Sequence, residues 1–227
     1  MVRIVCLMLL TLLAGAAWAD QPQPSQWGPE IAAFTAKDRQ QPPPKEGVLF
    51  IGSSSIHAWT TLAQDFPGVP VINRGFGGSA IADSTYYADR IAVPYKPRVI
   101  VMYAGDNDMA EGAGPEQVLH DVQAFVALVR RALPHTAIVY ISIKPSVARE
   151  NLWPSMREAN AKIAHWMHGR EGLRFVDISA AMLDAQGRPR PELLREDGLH
   201  MTAAGYAIWV AELKPVLAAY GFPVHGG

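Results

Sequence analysis

Asp197 and His200 stand three residues apart in the stretch Asp197-Gly198-Leu199-His200. That spacing lets the carboxylate accept the imidazole Nδ1–H, fix the tautomer and leave Nε2 free to take a proton. The other histidines, His57, His120, His135, His165, His168 and His225, lack such company and read as surface or packing residues. A base of this kind needs something to deprotonate, and Gly52-Ser53-Ser54-Ser55-Ile56 offers hydroxyls. A serine after a glycine turn can simply cap a helix. It can also act as a nucleophile whose developing negative charge is favoured by the helix start. The G-x-S-x-G elbow is absent, because Ile56 occupies its last position.

Two further polar stretches compete for meaning. Asn73-Arg74-Gly75-Phe76-Gly77-Gly78-Ser79-Ala80 could cradle a dinucleotide pyrophosphate, but no acidic residue stands about 20 positions on, near Tyr95. Alternatively, a glycine in this turn presents its backbone N–H to an oxyanion. Tyr103-Ala104-Gly105-Asp106-Asn107-Asp108 could bind a metal through its two carboxylates, yet no histidine or third acid follows at ligand spacing. Its other reading makes Asn107 an uncharged N–H donor aimed at a developing oxyanion, with the aspartates holding the loop. Each stretch is weak evidence alone. A serine, a glycine turn, an asparagine loop and an acid–histidine pair together form a complete acyl-transfer set.

With these four blocks in this chain order, the sequence resembles the SGNH/GDSL hydrolase superfamily, which has an α/β fold. The resemblance implies Ser54 in FIGSSSI as nucleophile and Asp197 and His200 in DGLHMTAAGY as its triad partners. It implies three oxyanion donors: the Ser54 N–H, the Gly78 N–H in NRGFGGS and the Asn107 side chain in YAGDNDM. It covers about 48–217. Two positions depart from the family pattern, which usually has Asp before the nucleophile and often Asp after the double glycine; this chain has Ser53 and Ser79. With three adjacent serines, the assignment of Ser54 rests on register, and Ser53 is the competing choice. The implied enzyme is a serine esterase acting on a small-molecule acyl ester without metal or other cofactor. Carbohydrate acetyl esters, lysophospholipids and thioesters remain open, and a catalytically silent carbohydrate- or lipid-binding module is the non-enzyme alternative.

The elements must bring these stretches together. Continuous apolar runs at 48–51, 69–72, 99–103, 137–143 and 173–178 fit strands buried on both faces. Helical periodicity lies between them, at about 79–92, 116–133 and 154–169, and a last helix runs from about 202, with Thr202 as N-cap, to 217. This alternation predicts a three-layer α/β/α, flavodoxin-like, doubly wound sheet of five parallel strands. Ligands of such sheets collect at the carboxyl ends of the strands, where the polar stretches begin. The intervals between Ser54, Gly78 and Asn107 leave no room for a lid domain. Trp59, Phe76, Tyr103, Met109 and Met201 are expected to give a modest apolar wall suited to short acyl groups, with 144–156 a candidate flap.

Composition sets the outer limits. The 227 residues are 49% hydrophobic and 18% charged, with 20 basic against 21 acidic side chains, which disfavours disorder and a polybasic nucleic-acid surface. Arg3, an apolar run at 4–13 and Ala17-Trp18-Ala19 read as a secretory signal at 1–19, cleaved after Ala19. The run is too short for a membrane span, so no stable anchor is expected once it is removed. The single cysteine, Cys6, lies within this signal, so the mature chain has no disulfide. A leader and short helix at 20–46 and an esterase domain at 47–222 complete the expected organisation of a secreted or periplasmic protein.

Overall fold

The computed structural model describes residues 26–223, so the signal reading of 1–19 and the placement of His225 lie outside the described residues. In chain order the elements are α1 (Gly28–Gln40), β1 (Val48–Gly52), α2 (Ser54–His57), α3 (Leu62–Asp65), β2 (Val71–Gly75) and α4 (Ile81–Ile91). Then follow β3 (Val99–Tyr103), α5 (Asp106–Ala110), α6 (Pro115–Ala132), β4 (Ala137–Ile141), α7 (Trp153–Met167), β5 (Leu173–Val176) and α8 (Ala203–Ala219). The strands form one parallel sheet in the order β2-β1-β3-β4-β5. This is the flavodoxin-like order, with its switch point between β1 and β3.

Alternation along each strand sends side chains to two separate cores. Leu49, Ile51, Ile100, Met102, Ile138 and Tyr140 pack with residues of α1, α4, α6 and α7. Val48, Phe50, Val99, Val101, Tyr103 and Val139 face Ile56, Trp59, Leu62 and the Trp209–Leu217 part of α8. Both faces are therefore covered, which is why the strands read as continuous apolar runs. Thr202 caps α8, its hydroxyl accepting from the Gly205 N–H at 3.3 Å.

Three strands differ from the expected runs for identifiable reasons. The second lies at Val71–Gly75 rather than 69–72, and its polar end still pairs with β1, Phe50 with Asn73 and Gly52 with Gly75. It is an edge strand, so the polar side chains of Asn73 and Arg74 can find partners beyond the sheet. Asn73 Nδ2 donates to the Ile56 carbonyl, and buried Arg74 pairs with Asp38 of α1 and donates to the Tyr95 hydroxyl. The fourth strand stops at Ile141 rather than 143. At Ile143 the side chain of Asn160 in α7 replaces a neighbouring strand, accepting from its N–H at 2.8 Å and donating to its carbonyl at 2.9 Å. The fifth strand ends at Val176 rather than 178, where the Ile178 N–H donates to the Ser142 hydroxyl at 3.0 Å instead of to a strand.

Candidate active site

The turn after β1 depends on Gly52, whose φ of +135° is open to glycine and whose Cβ would lie 1.8 Å from the Tyr103 carbonyl oxygen. The chain then enters α2 with Ser54 as its first residue, so the Ser54 N–H has no acceptor within that helix. Three consecutive serines meet three different environments. Ser53 and Ser55 are buried with hydroxyl groups that have no hydrogen-bond partner among the described residues, whereas Ser54 is partly exposed and its hydroxyl meets His200 Nε2 at 2.9 Å.

His200 Nδ1 lies 2.6 Å from Asp197 Oδ2. An ionised carboxylate only accepts, so Nδ1 carries the proton and Nε2 is the acceptor for the Ser54 hydroxyl. Asp197 Oδ1 also accepts the backbone N–H groups of Leu199 at 2.8 Å and His200 at 2.9 Å. The His200 hydrogen bond and then the Leu199 N–H hold the Asp197 carboxyl well below its usual range. The pair is open to solvent, with 28% of the His200 side chain and 47% of the Asp197 side chain exposed.

The Gly78 loop crosses beside the serine turn. Phe76 N–H donates to the Gly52 carbonyl at 2.9 Å, and the Ser79 hydroxyl lies 3.3 Å from the same oxygen and 3.0 Å from the Phe76 carbonyl. Thus Ser79 ties the loop to the end of β1. Gly78 has φ +76°, and its N–H donates to no other main-chain carbonyl among the described residues. Asn107, on the short helix α5 after β3, donates from Nδ2 to the Ser79 carbonyl at 3.0 Å, leaving its second N–H available. Ser54, His200, Asp197, Gly78 and Asn107 are thereby gathered at the carboxyl ends of β1, β2 and β3.

The flanking aspartates have separate protein partners. Asp106 Oδ2 is 3.1 Å from Lys144 Nζ and 3.2 Å from Arg149. Burial alone would raise its pKa, but the two cations outweigh burial and leave the carboxyl below its ordinary value. Asp108 Oδ1 accepts the Ile81 N–H at 3.0 Å, and burial pushes its pKa up to about 7. Among the described residues no group of three or more His, Cys, Asp or Glu side chains could hold a metal ion.

Other surroundings differ from expectation. Trp59, Phe76, Tyr103, Met109 and Met201 do not wall the site; all five are buried inside the two cores. The covered sheet explains this: Tyr103, at the end of β3, packs against Trp209 of α8 with ring centroids 4.7 Å apart. The 144–156 segment packs against the acid–histidine loop, where Ala148 N–H donates to the Gly198 carbonyl at 3.0 Å beside exposed Val147. Three residues absent from the motif reading belong to the site's support: Lys144, Arg149 and Trp27. Arg149 donates to Asn107 Oδ1 at 2.8 Å, and Trp27 Nε1 donates to the Gly77 carbonyl at 2.9 Å. No local spacing rule connects residues 42 and 50 positions apart.

The family model described as GDSL-like Lipase/Acylhydrolase matches residues 46–208. Among solved structures, the chain is similar to a GDSL-like lipase from Bacteroides thetaiotaomicron VPI-5482, at 20% identity and TM-score 0.72, over 83% of this chain and 97% of that one. It is also similar to a catalytic mutant of an acetylxylan esterase from Geobacillus stearothermophilus, at 17% identity and TM-score 0.61, over 81% and 99%. At such identities the likeness is one of fold. No curated protein matches the chain.

Proposed function

Because this chain belongs to the GDSL-like lipase/acylhydrolase family and is an ester-hydrolysing serine hydrolase, we propose that Ser54 is its nucleophile, His200 its base and Asp197 the orienting carboxylate. The observation that carries this reading is the continuous hydrogen-bonded line from Ser54 Oγ through His200 to Asp197. His200 Nε2 takes the hydroxyl proton as Ser54 Oγ bonds to the ester carbonyl carbon. The carbonyl oxygen becomes an oxyanion and receives the Ser54 N–H, the Gly78 N–H and the free N–H of Asn107. His200 then returns the proton to the departing alcohol oxygen as the C–O bond breaks, leaving Ser54 acylated. A water molecule repeats the sequence, giving up its proton to His200 and releasing the acid while the proton returns to Ser54.

The preferred substrate on this reading is an ester with a short acyl group, from acetyl to butyryl. Support comes from the open acid–histidine pair and from the burial of the five apolar residues that would otherwise hold a long chain. The acetylxylan esterase similarity agrees with a short acyl group. The secretory pattern of 1–19 further supports an exported, periplasmic or secreted enzyme beginning at Asp20. Enzyme recovered from the exported fraction should have that N-terminus and give its highest kcat/KM on p-nitrophenyl esters at C2 to C4. A maximum at C10 or beyond would contradict the short-acyl reading, and retention of Met1 would contradict export by cleavage.

A further inference from the structure

We propose that Trp27 and Arg149 are positioning residues that keep two oxyanion donors facing the reacting carbonyl. The inference rests on the acyl-enzyme reading above and assigns a role to two side chains outside its motifs.

The Gly77 carbonyl and Gly78 N–H belong to one planar peptide unit and point in opposite directions. Rotation of that unit would replace the donor with a carbonyl oxygen, which repels an oxyanion. Both residues that the unit joins are glycines, so no Cβ restricts the φ/ψ change that rotation needs, and the Phe76 and Ser79 hydrogen bonds hold the two ends of the loop rather than the unit between them. Trp27 supplies the missing restraint, because its indole Nε1–H donates to the Gly77 carbonyl at 2.9 Å. The indole is itself braced edge-on against buried Phe76, with centroids 5.9 Å apart at 73°. Holding the carbonyl on Trp27 keeps the attached N–H on the opposite side.

Asn107 has an equivalent two-way choice, since turning its carboxamide by 180° exchanges oxygen for nitrogen. Its neighbours permit one orientation. The Ser79 carbonyl can only accept, and the Arg149 guanidinium can only donate. Nδ2 must therefore face Ser79, at 3.0 Å, while Oδ1 faces Arg149, at 2.8 Å. Arg149 is fixed in turn by Asp106, which Lys144 also contacts. Donation from a cation to Oδ1 also polarises the amide and makes its remaining N–H a stronger donor.

Trp27→Phe keeps an aromatic ring against Phe76 and deletes the N–H, and Arg149→Met keeps an unbranched stem and deletes the guanidinium. Removing an oxyanion donor outright costs about 10²–10³ in kcat, so loss of its positioning is expected to cost about tenfold in each variant, with KM changed less than twofold. An alkylboronic acid, which forms a tetrahedral adduct on the serine, should lose affinity by a similar factor, while the melting temperature stays within a few degrees. Both variants retaining wild-type kcat and boronate affinity would overturn the proposal. So would equal losses in KM and melting temperature with no selective loss of boronate binding. Should Trp27→Phe fail to fold, the Arg149→Met measurements decide by the same criteria. Ser54→Ala, run alongside, separates the two levels: activity surviving there would defeat the nucleophile reading itself.

Discussion

Asp197 shows how an exposed residue can still have a firmly set charge. Half of its side chain is open to solvent, yet one imidazole and two backbone N–H groups converge on its oxygens and keep it ionised well below the ordinary carboxylate range. The carboxylate should therefore stay ionised throughout the pH range of activity, so the acid limb of the activity profile carries no Asp197 titration. Proton uptake by Asp197 between about pH 4 and 7, seen in its carboxyl carbon NMR shift, would contradict the assignment. Asp197→Asn should lower kcat on the order of 10⁴ by spoiling tautomer and orientation. The fold should be retained, because Asn keeps an oxygen for the Leu199 and His200 N–H groups. The motif residues were legible because each sits immediately after a strand or before a helix, within a few positions of a glycine. Trp27, Lys144 and Arg149 were not, because their partners are distant in sequence and a lone Trp, Lys or Arg carries no spacing signal.

At the level of elements, the site is held by contacts between helix starts and strand ends. Asp108, on α5, accepts the first N–H of α4, while Asp83 accepts the Ala80 N–H, so the Gly78–Ser79 loop is fastened just where it enters the helix. Burial raises the Asp108 pKa to about 7, with the Asp106 and Asp121 charges adding to the effect. Since the native value exceeds the unfolded value of 3.8, the stability linked to this proton is complete below about pH 4 and is lost as pH rises through about 7. Asp108→Asn keeps an oxygen for the Ile81 N–H but cannot ionise. Its melting temperature should therefore gain on the wild type between pH 5 and 8, and a constant difference across that range would contradict burial of an ionisable carboxyl as the cause. The same neighbourhoods explain which element boundaries could be read from sequence. The runs at β1 and β3 announced themselves because both faces are buried, whereas the polar end of β2 and the Asn160 substitution after β4 depend on side-chain partners from elsewhere in the chain.

Across the whole molecule, the order β2-β1-β3-β4-β5 places the chemistry. From β1 the chain passes to β2 on one side, and the next connection carries it back across to β3 on the other. The divergence leaves a crevice at the carboxyl ends of β1 and β3. Ser54 follows the first of these strands and Asn107 the second. The loop carrying Asp197 and His200 immediately precedes α8, which packs on the same sheet face as Ile56 and so brings these residues from the far end of the sequence to Ser54. Helix α1, the first among the described residues, precedes the family-matched residues and is fastened to this frame through Asp38, Arg74 and Tyr95. Its start brings Trp27 to the glycine loop. All of this converges on one hydroxyl among three neighbours, so labelling with an organophosphonate serine probe, followed by peptide mass mapping, is the most direct measurement. The label should reside on Ser54 alone, disappear in Ser54→Ala and form far more slowly in His200→Ala. A label on Ser53 or Ser55, or unchanged labelling in His200→Ala, would contradict the account.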